Sequence, residues 1–329
     1  MPLRAGVDLG GTKIQSVVTD DQHAVLGQAR HPTPKDNGPQ GVADGIVAAI
    51  REALEGADAE PSRLAGIGIG SPGVADDEAG TVSQARNVTP DWTGSFPLAN
   101  AVGEPLGGVR VRLGNDVDVA TVAEARLGAG RGHASLLGVF WGTGVGGGVI
   151  LNHEPWVGRG AAGEFGHTVV KLNGARCTCG RNGCVEAYAG RKAMELHAQE
   201  LHHKGHHTDL FKIMERRERD SLSSGVWARA LEHKDSMAEE LIERAIAALA
   251  AGIASAVNLM DFEAVVIGGG LGSRLGEPYV ARIREQMLPH LFVDDDPPKV
   301  VVAELGDLGG AIGAAMLAWD HAGVIDSSR

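Results

Sequence analysis

All three cysteines of this 329-residue chain, Cys177, Cys179 and Cys184, fall within eight positions, and His167 stands ten residues before the first. Three thiolates and one imidazole are the ligand set of a closed tetrahedral zinc site, in which the metal serves structure and keeps no open position. The spacing C-x-C-x4-C, with Gly180 and Gly183 inside it, suits a knuckle that turns three sulfurs toward one point, because glycine reaches positive φ without a Cβ clash. Two other uses of the cysteines compete. Free cysteines are often buried as small apolar side chains, but such residues would be scattered. A disulfide would leave one thiol over and suits an oxidising compartment, of which the chain gives no other sign. The acids Glu164 and Glu186 bracket the knuckle, so the expectation is a zinc that shapes a ligand site.

A second chemistry is written in glycine. Three glycine-rich segments each follow an apolar, strand-like run: Asp8-Leu9-Gly10-Gly11-Thr12-Lys13, Gly142-Thr143-Gly144-Val145-Gly146-Gly147-Gly148, and Gly268-Gly269-Gly270-Leu271-Gly272. Consecutive backbone N–H groups in such turns converge on phosphate oxygens. Thr12 and Thr143 add hydroxyl donors and Lys13 adds a charge. Asp8, at a strand end, is placed to hold magnesium through water, since Mg2+ prefers oxygen ligands and keeps several waters. Taken singly, each cluster is as consistent with plain turn chemistry. Gly66, Gly68 and Gly70 imitate a dinucleotide fingerprint, but they lie inside a β-branched run and not between strand and helix. No Walker sequence is present.

Asn115-Asp116 falls where a strand ends and a helix begins. An aspartate there is either a helix N-cap or, between two phosphate turns, a general base for a hydroxyl nucleophile.

The elements that must position these groups follow from hydrophobic period and turn residues. Strands are expected over 3–9, 14–19, 24–29, 64–70, 109–113, 135–141 and 263–267, with another beginning at Gly148. Helices are expected near 41–55, from Asp116 to about 127, and over 309–319. A long helix starts at a Ser236/Glu239 capping box, with Leu241, Ala245, Leu249, Ile253 and Val257 on its apolar face. Strand–glycine turn–strand occurs near residues 3–19 and again near 135–151, a weak repeat that predicts two related α/β lobes with a cleft between them. His202, His203, His206 and His207, in a polar segment reaching Lys234, read as a solvated helix end and loop. The net charge of -12 argues against nucleic acid or an anionic membrane as a partner. No signal peptide precedes the first strand and no apolar run reaches membrane-span length, so a cytoplasmic location is expected.

With these motifs on the page, the chain resembles the ROK family (repressor, open reading frame, kinase) of the actin-like, ribonuclease-H-like ATPase superfamily. The resemblance covers nearly the whole chain. It rests on Asp8-Leu-Gly-Gly-Thr-Lys13, Gly68-Ile-Gly-Ser-Pro-Gly73, Asn115-Asp116, Trp141-Gly-Thr-Gly-Val-Gly-Gly-Gly148, Gly163-Glu-Phe-Gly-His167, Cys177-Thr-Cys-Gly-Arg-Asn-Gly-Cys-Val-Glu186 and Val266-Ile-Gly-Gly-Gly-Leu271. It implies an α/β fold of two ribonuclease-H-like lobes, a small one over 1–114 plus about 312–329 and a large one over 115–311 carrying the zinc knuckle. It implies phosphorylation of a hexose at the 6-hydroxyl, with glucose as substrate, Mg-ATP as donor and structural Zn2+. Asp116 would be the base. Gly73, Asn87, Asn115, Glu164, His167 and Glu186 would bind sugar, His167 also serving the zinc with Cys177, Cys179 and Cys184. Gly10, Gly11, Thr12, Lys13, Gly142, Thr143 and Gly144 would hold phosphates, and Gly269, Gly270 and Leu271 would face adenosine. The loop after Asn87 is one residue longer than the family pattern. Another hexose, an N-acetylhexosamine, polyphosphate as donor, or a non-catalytic sugar sensor are the alternatives. A homodimer or homotetramer is expected. No helix-turn-helix precedes the kinase core, so the DNA-binding branch is not expected.

Overall fold

The computed structural model describes residues 2–319, which divide into two compact units, residues 2–127 with 307–319 and residues 128–306. In the first unit β1 (Leu3–Leu9), β2 (Lys13–Thr19) and β3 (Val25–Pro32) form an antiparallel meander. Then come α1 (Gly38–Gly56), β4 (Leu64–Ser71), the hairpin β5 (Val74–Asp76) and β6 (Thr81–Ser83), α2 (Leu98–Gly103), β7 (Val111–Asn115) and α3 (Asp116–Arg126). The sheet runs β3-β2-β1-β4-β7, with β4 parallel to β1 and β7 parallel to β4. Position in the sheet sets the residue pattern. Central strands β1 and β4 are buried along nearly their whole length, whereas the edge strand β3 mixes buried with exposed positions.

The second unit repeats the plan. A meander of β8 (Leu136–Trp141), β9 (Val145–Leu151) and β10 (Glu154–Pro155) leads through α4 (Glu186–Ala189), α5 (Arg191–His203), α6 (Leu210–Arg216), α7 (Ser224–Glu232) and α8 (Ser236–Met260). It continues to β11 (Ala264–Gly268), α9 (Gly269–Leu275), α10 (Glu277–Met287) and β12 (Lys299–Val302), giving the order β10-β9-β8-β11-β12. The first three strands are antiparallel and the last two parallel in both sheets, so the repeat seen in the glycine turns is a repeat of sheet topology.

The apolar stripe expected on α8 is buried at Leu241, Ala245, Leu249, Ile253 and Val257. Its N-cap is Asp235, not the expected Ser236: the Asp235 carboxylate accepts from Ala238 N at 2.9 Å. The polar segment after His202 holds two helices that bury Leu210, Ile213, Val226, Trp227 and Ala230 against α8's core, while the four histidines stay exposed. Among the described residues no helix is long and apolar enough to cross a membrane.

The chain closes with α11 (Gly309–Leu317), which belongs to the first unit because glycines let it touch that unit's backbone. A Cβ on Gly6 would lie 2.0 Å from Ala311 O, and one on Gly68 would lie 1.8 Å from Ala314 O. On the helix itself, a Cβ on Gly313 would lie 1.9 Å from Val119 O of α3. The unit boundaries therefore fall at 127/128 and 306/307 instead of 114/115 and about 311/312: α3 is held by α11, and α11 by the first sheet. Residues 320–329 of the expected small lobe lie outside the described residues.

Candidate active site and metal centre

In the first unit the β7–α3 junction answers a question that the sequence left open. The N-cap of α3 is Asn115, whose Oδ1 accepts from Val117 N at 2.9 Å and Asp118 N at 3.3 Å. Asp116 is thus relieved of capping and is the first helical residue, with Oδ1 accepting from Val117 N at 3.1 Å. Burial, then the neighbouring Asp8 charge, push the Asp116 carboxyl from an ordinary 3.8 up to about 7, against the pull of the helix N–H groups. Asp8 is raised too, first by burial, with Lys13 opposing. Asp8 and Asp116 are both deeply buried, and the Asp8 charge reaches Asp116; a divalent cation would relieve the repulsion of two such hard-oxygen groups, so the donor set at Asp8 fits magnesium.

The turn between β1 and β2 lies beside them. Gly10 N donates to Lys13 O at 2.9 Å, while the N–H groups of Gly11 and Thr12 have no acceptor among the described residues. Gly11 is required by close approach: a Cβ would lie 2.2 Å from Asn87 O, so the loop of Asn87 rests on this turn. The Thr33 hydroxyl donates to Gly10 O at 2.7 Å, and the Lys35 ammonium donates to Gly11 O and Val88 O. Thr33 and Lys35 carry no motif and went unnoticed in the sequence. Lys13 faces Asp307 at 3.6 Å. Gly73 takes φ +86° after β4 and packs on β6, where a Cβ would lie 2.4 Å from Ser83 O.

In the second unit the knuckle residues come together as expected. The ligand atoms of His167, Cys177, Cys179 and Cys184 all lie within 4.8 Å of one another. Cys179 Sγ is 3.8 Å from Cys184 Sγ, and Cys177 Sγ is 3.9 Å from His167 Nδ1. A tetrahedron with bonds of about 2.3 Å has edges of about 3.8 Å, so these separations suit a metal and exclude a disulfide. Burial pushes the Cys177 thiol up to about 12, a barrier to thiolate formation that a bound cation removes. Gly180 and Gly183 adopt φ of +89° and +82°, and a Cβ on Gly183 would lie 1.8 Å from Lys171 O. With Nδ1 turned to the sulfurs, His167 Nε2 faces the exposed Glu164 carboxylate at 3.9 Å.

Glu186 joins the knuckle to the second glycine turn. Its Oε1 accepts from the Thr178 hydroxyl at 3.0 Å and its Oε2 from Val145 N at 3.0 Å. Gly144 is needed there, since a Cβ would lie 2.3 Å from Glu186 Oε2. The turn is shorter than the sequence suggested. β9 begins at Val145, so Gly146 to Gly148 belong to the strand, and Gly147 seats the loop of Phe165, whose Cβ lies 2.5 Å from where a Gly147 Cβ would be. What remains mirrors the first turn: Gly142 N donates to Gly144 O at 2.9 Å, and Thr143 is exposed with no acceptor for its N–H among the described residues. The third cluster opens α9 directly, with Gly269 at φ +80° against the Trp141 backbone. The Leu271 side chain is fully buried in the second core, because it is the first inward-facing position of α9. Arg191 and Ser224, which no motif flagged, sit beside Thr143 and Gly270.

Comparisons with known proteins identify the family. A profile of the ROK family matches residues 4–321. A glucokinase from Thermotoga maritima is 33% identical over 322 residues, 97% of this chain and 98% of that protein. An N-acetyl-D-glucosamine kinase from Pectobacterium atrosepticum is 30% identical, over 95% of this chain and 97% of its own. Among solved structures, a ROK family glucokinase from Streptomyces griseus in complex with glucose and AMPPNP superposes with a TM-score of 0.81 at 33% identity, covering 96% of this chain and 99% of that one. By its profile match, its full-length relatives and its fold, the chain belongs to the ROK family.

Proposed function

We propose that this protein is a sugar kinase that transfers the terminal phosphoryl group of ATP to the 6-hydroxyl of a hexose, with glucose preferred. The observation that carries the reading is Asp116: a carboxyl free of capping duty, beside a phosphate-type turn, whose affinity for a proton is matched to neutral pH. Its carboxylate accepts the hydroxyl proton as the sugar oxygen forms its bond to the γ-phosphorus. The bond from that phosphorus to the bridging oxygen breaks, ADP departs, and Asp116 later gives the proton to water. The transfer itself needs positioning and charge stabilisation. In the first unit, the free N–H groups of Gly11 and Thr12 offer donors to phosphate oxygens, and the Asn115 amide nitrogen offers a donor to sugar. Gly10 and Lys13 complete that turn, and the loops of Gly73 and Asn87 border it as sugar contacts. In the second unit, Gly142, Thr143 and Gly144 offer the matching turn, the backbone of Gly269 and Gly270 a face for adenosine, Glu164 and Glu186 acceptors for hydroxyls, and His167 a ring N–H donor to one.

His167 Nδ1 with Cys177, Cys179 and Cys184 would hold zinc, which supplies a rigid scaffold and no bond-making. Held that way, His167 keeps its proton on Nε2, ready to donate to a hydroxyl or to Glu164. Asp8 would hold Mg2+ through water, supplying positive charge to the transferring phosphate.

The second reading is a kinase for an N-acetylhexosamine, which the Pectobacterium relative favours. A coupled ADP-release assay with Mg-ATP over glucose, mannose, allose, fructose, N-acetylglucosamine and N-acetylmannosamine separates the two. The glucose reading expects the highest kcat/KM on glucose. A preference for an N-acetyl sugar overturns glucose, and no ADP release above the sugar-free rate on any hexose overturns the kinase.

A further inference from the structure

We propose that Arg191 is an additional contact for the phosphoryl donor, its guanidinium meeting the phosphate chain of a nucleotide held by the Gly142–Gly144 turn. This rests on the kinase reading and deepens it at the same site. Arg191 opens α5, and main chain and side chain grip the same turn. Its N–H donates to Gly142 O at 3.1 Å, and Lys192 N donates to Thr143 O at 3.1 Å. Nη2 donates to Thr143 Oγ1 and Nη1 to Ser224 Oγ, each at 2.8 Å. Ser224 lies beside the third glycine cluster, where a Cβ on Gly270 would be 3.5 Å from its Oγ. A Cβ on Gly142 would in turn be 3.8 Å from Gly270 N. One guanidinium therefore ties together both glycine clusters of this unit through two hydroxyls.

The chemistry of those partners points to an anion. Both are neutral, and among the described residues Arg191 forms no ion pair. Burial lowers its proton affinity, with Glu195 opposing from the same helix. The Glu195 carboxylate is engaged by Leu222 N at 3.2 Å. A half-buried cation whose hydrogen bonds go to hydroxyls, with a carboxylate acting on it only through space, is incompletely compensated for its desolvation. Two of the five guanidinium N–H donors are in use, and the planar fork suits two oxygens of one phosphate. A staple between α5, α7 and the turn would need hydrogen-bond donors but no charge. Accepting from Arg191 also leaves the Thr143 and Ser224 hydroxyl protons free to turn toward the same phosphate.

The test separates charge recognition from stapling. The full-length wild type, R191M, R191Q and R191K are titrated with Mg-ADP, inorganic tripolyphosphate and adenosine, and assayed on the hexose panel. R191M and R191Q are expected to weaken Mg-ADP and tripolyphosphate about thirtyfold, the loss of a charged hydrogen-bond pair, while adenosine stays within about threefold. R191K, which keeps the charge without the fork, should recover part of the loss. Equal losses for Mg-ADP and adenosine, or unchanged Mg-ADP affinity, overturn the proposal. R191Q keeps donors for both hydroxyls, so it reads the same ratio should R191M fail to fold. The kinase reading is judged separately: a wild type active on hexose with an unaltered R191Q leaves that reading intact and removes Arg191, whereas a wild type inactive on every hexose removes the reading itself.

Discussion

Replacing Asp116 by asparagine should stabilise the protein above neutral pH while abolishing phosphoryl transfer. The carboxyl stands at about 7 in the folded chain against an ordinary 3.8. A raised folded value means that the folded state holds this proton more tightly than the unfolded state does. The resulting stabilisation is complete below 3.8, declines as pH rises, and is gone above about 7, where the folded chain carries a charge it disfavours. The difference of roughly three units corresponds to about 4 kcal/mol. Asparagine is neutral throughout and keeps an oxygen for Val117 N. The variant should therefore melt higher than wild type at pH 8.5. With about 2.1 cal/mol/K of unfolding entropy per residue, 4 kcal/mol shifts a cooperative 329-residue melt by about 6 °C, and more if the first unit melts alone. The gap should halve near pH 5.5 and close by pH 4. Thermal melts at pH 4, 5.5, 7 and 8.5 measure it. In parallel, wild-type kcat/KM for hexose should fall about tenfold per pH unit below 7, and D116N should retain less than about 1% of turnover, the usual scale for losing a general base. Equal melting temperatures at pH 8.5, or a gap that widens toward acid, would refute the electrostatic reasoning. An active D116N would refute the base.

Three further outcomes follow from close contacts and ligands. Chelation, or Cys184→Ser, should remove one equivalent of zinc, lower the melting temperature and raise the hexose KM at least about tenfold, measured by metal analysis and kinetics. Gly144→Ala should leave circular dichroism unchanged yet lower kcat/KM about tenfold or more, because a Cβ 2.3 Å from Glu186 Oε2 must displace that carboxylate from Val145 N. Gly68→Ala should destabilise the first unit by about 3 kcal/mol in urea unfolding, since its Cβ meets Ala314 O at 1.8 Å. Gly66→Ala, whose nearest neighbour is the Ala318 Cβ at 3.2 Å, should cost clearly less.

How much of this was legible depends on the range of the contacts involved. The cluster of His167 with the three cysteines was readable because its sulfurs lie within eight positions and its glycines serve their own loop. The strands β1, β4, β8 and β11 were readable as short continuous apolar runs, because they are buried on both faces, and the stripe on α8 because burial of one helix face imposes a period. The glycine run 142–148 misled in part, because one composition served two purposes: a turn to residue 144 and a seat for Phe165 at Gly147. The choice at residues 115 and 116 could not be made from sequence, since asparagine and aspartate cap helices about equally well.

By itself the sequence determined which residue types lie close along the chain: the cysteine–histidine cluster, the glycine turns and the two-fold repeat of strand–turn–strand. The tertiary structure decided the partners that lie far apart along the chain. It put Arg191 on Thr143 and Ser224, Glu186 on Val145, Asp8 near Asp116, and α11 on Gly6 and Gly68. Spacing and periodicity report only on neighbours that the chain itself enforces. Contacts across tens or hundreds of residues arise within each unit from packing its own sheet and helices to close density, and no single residue announces them in advance.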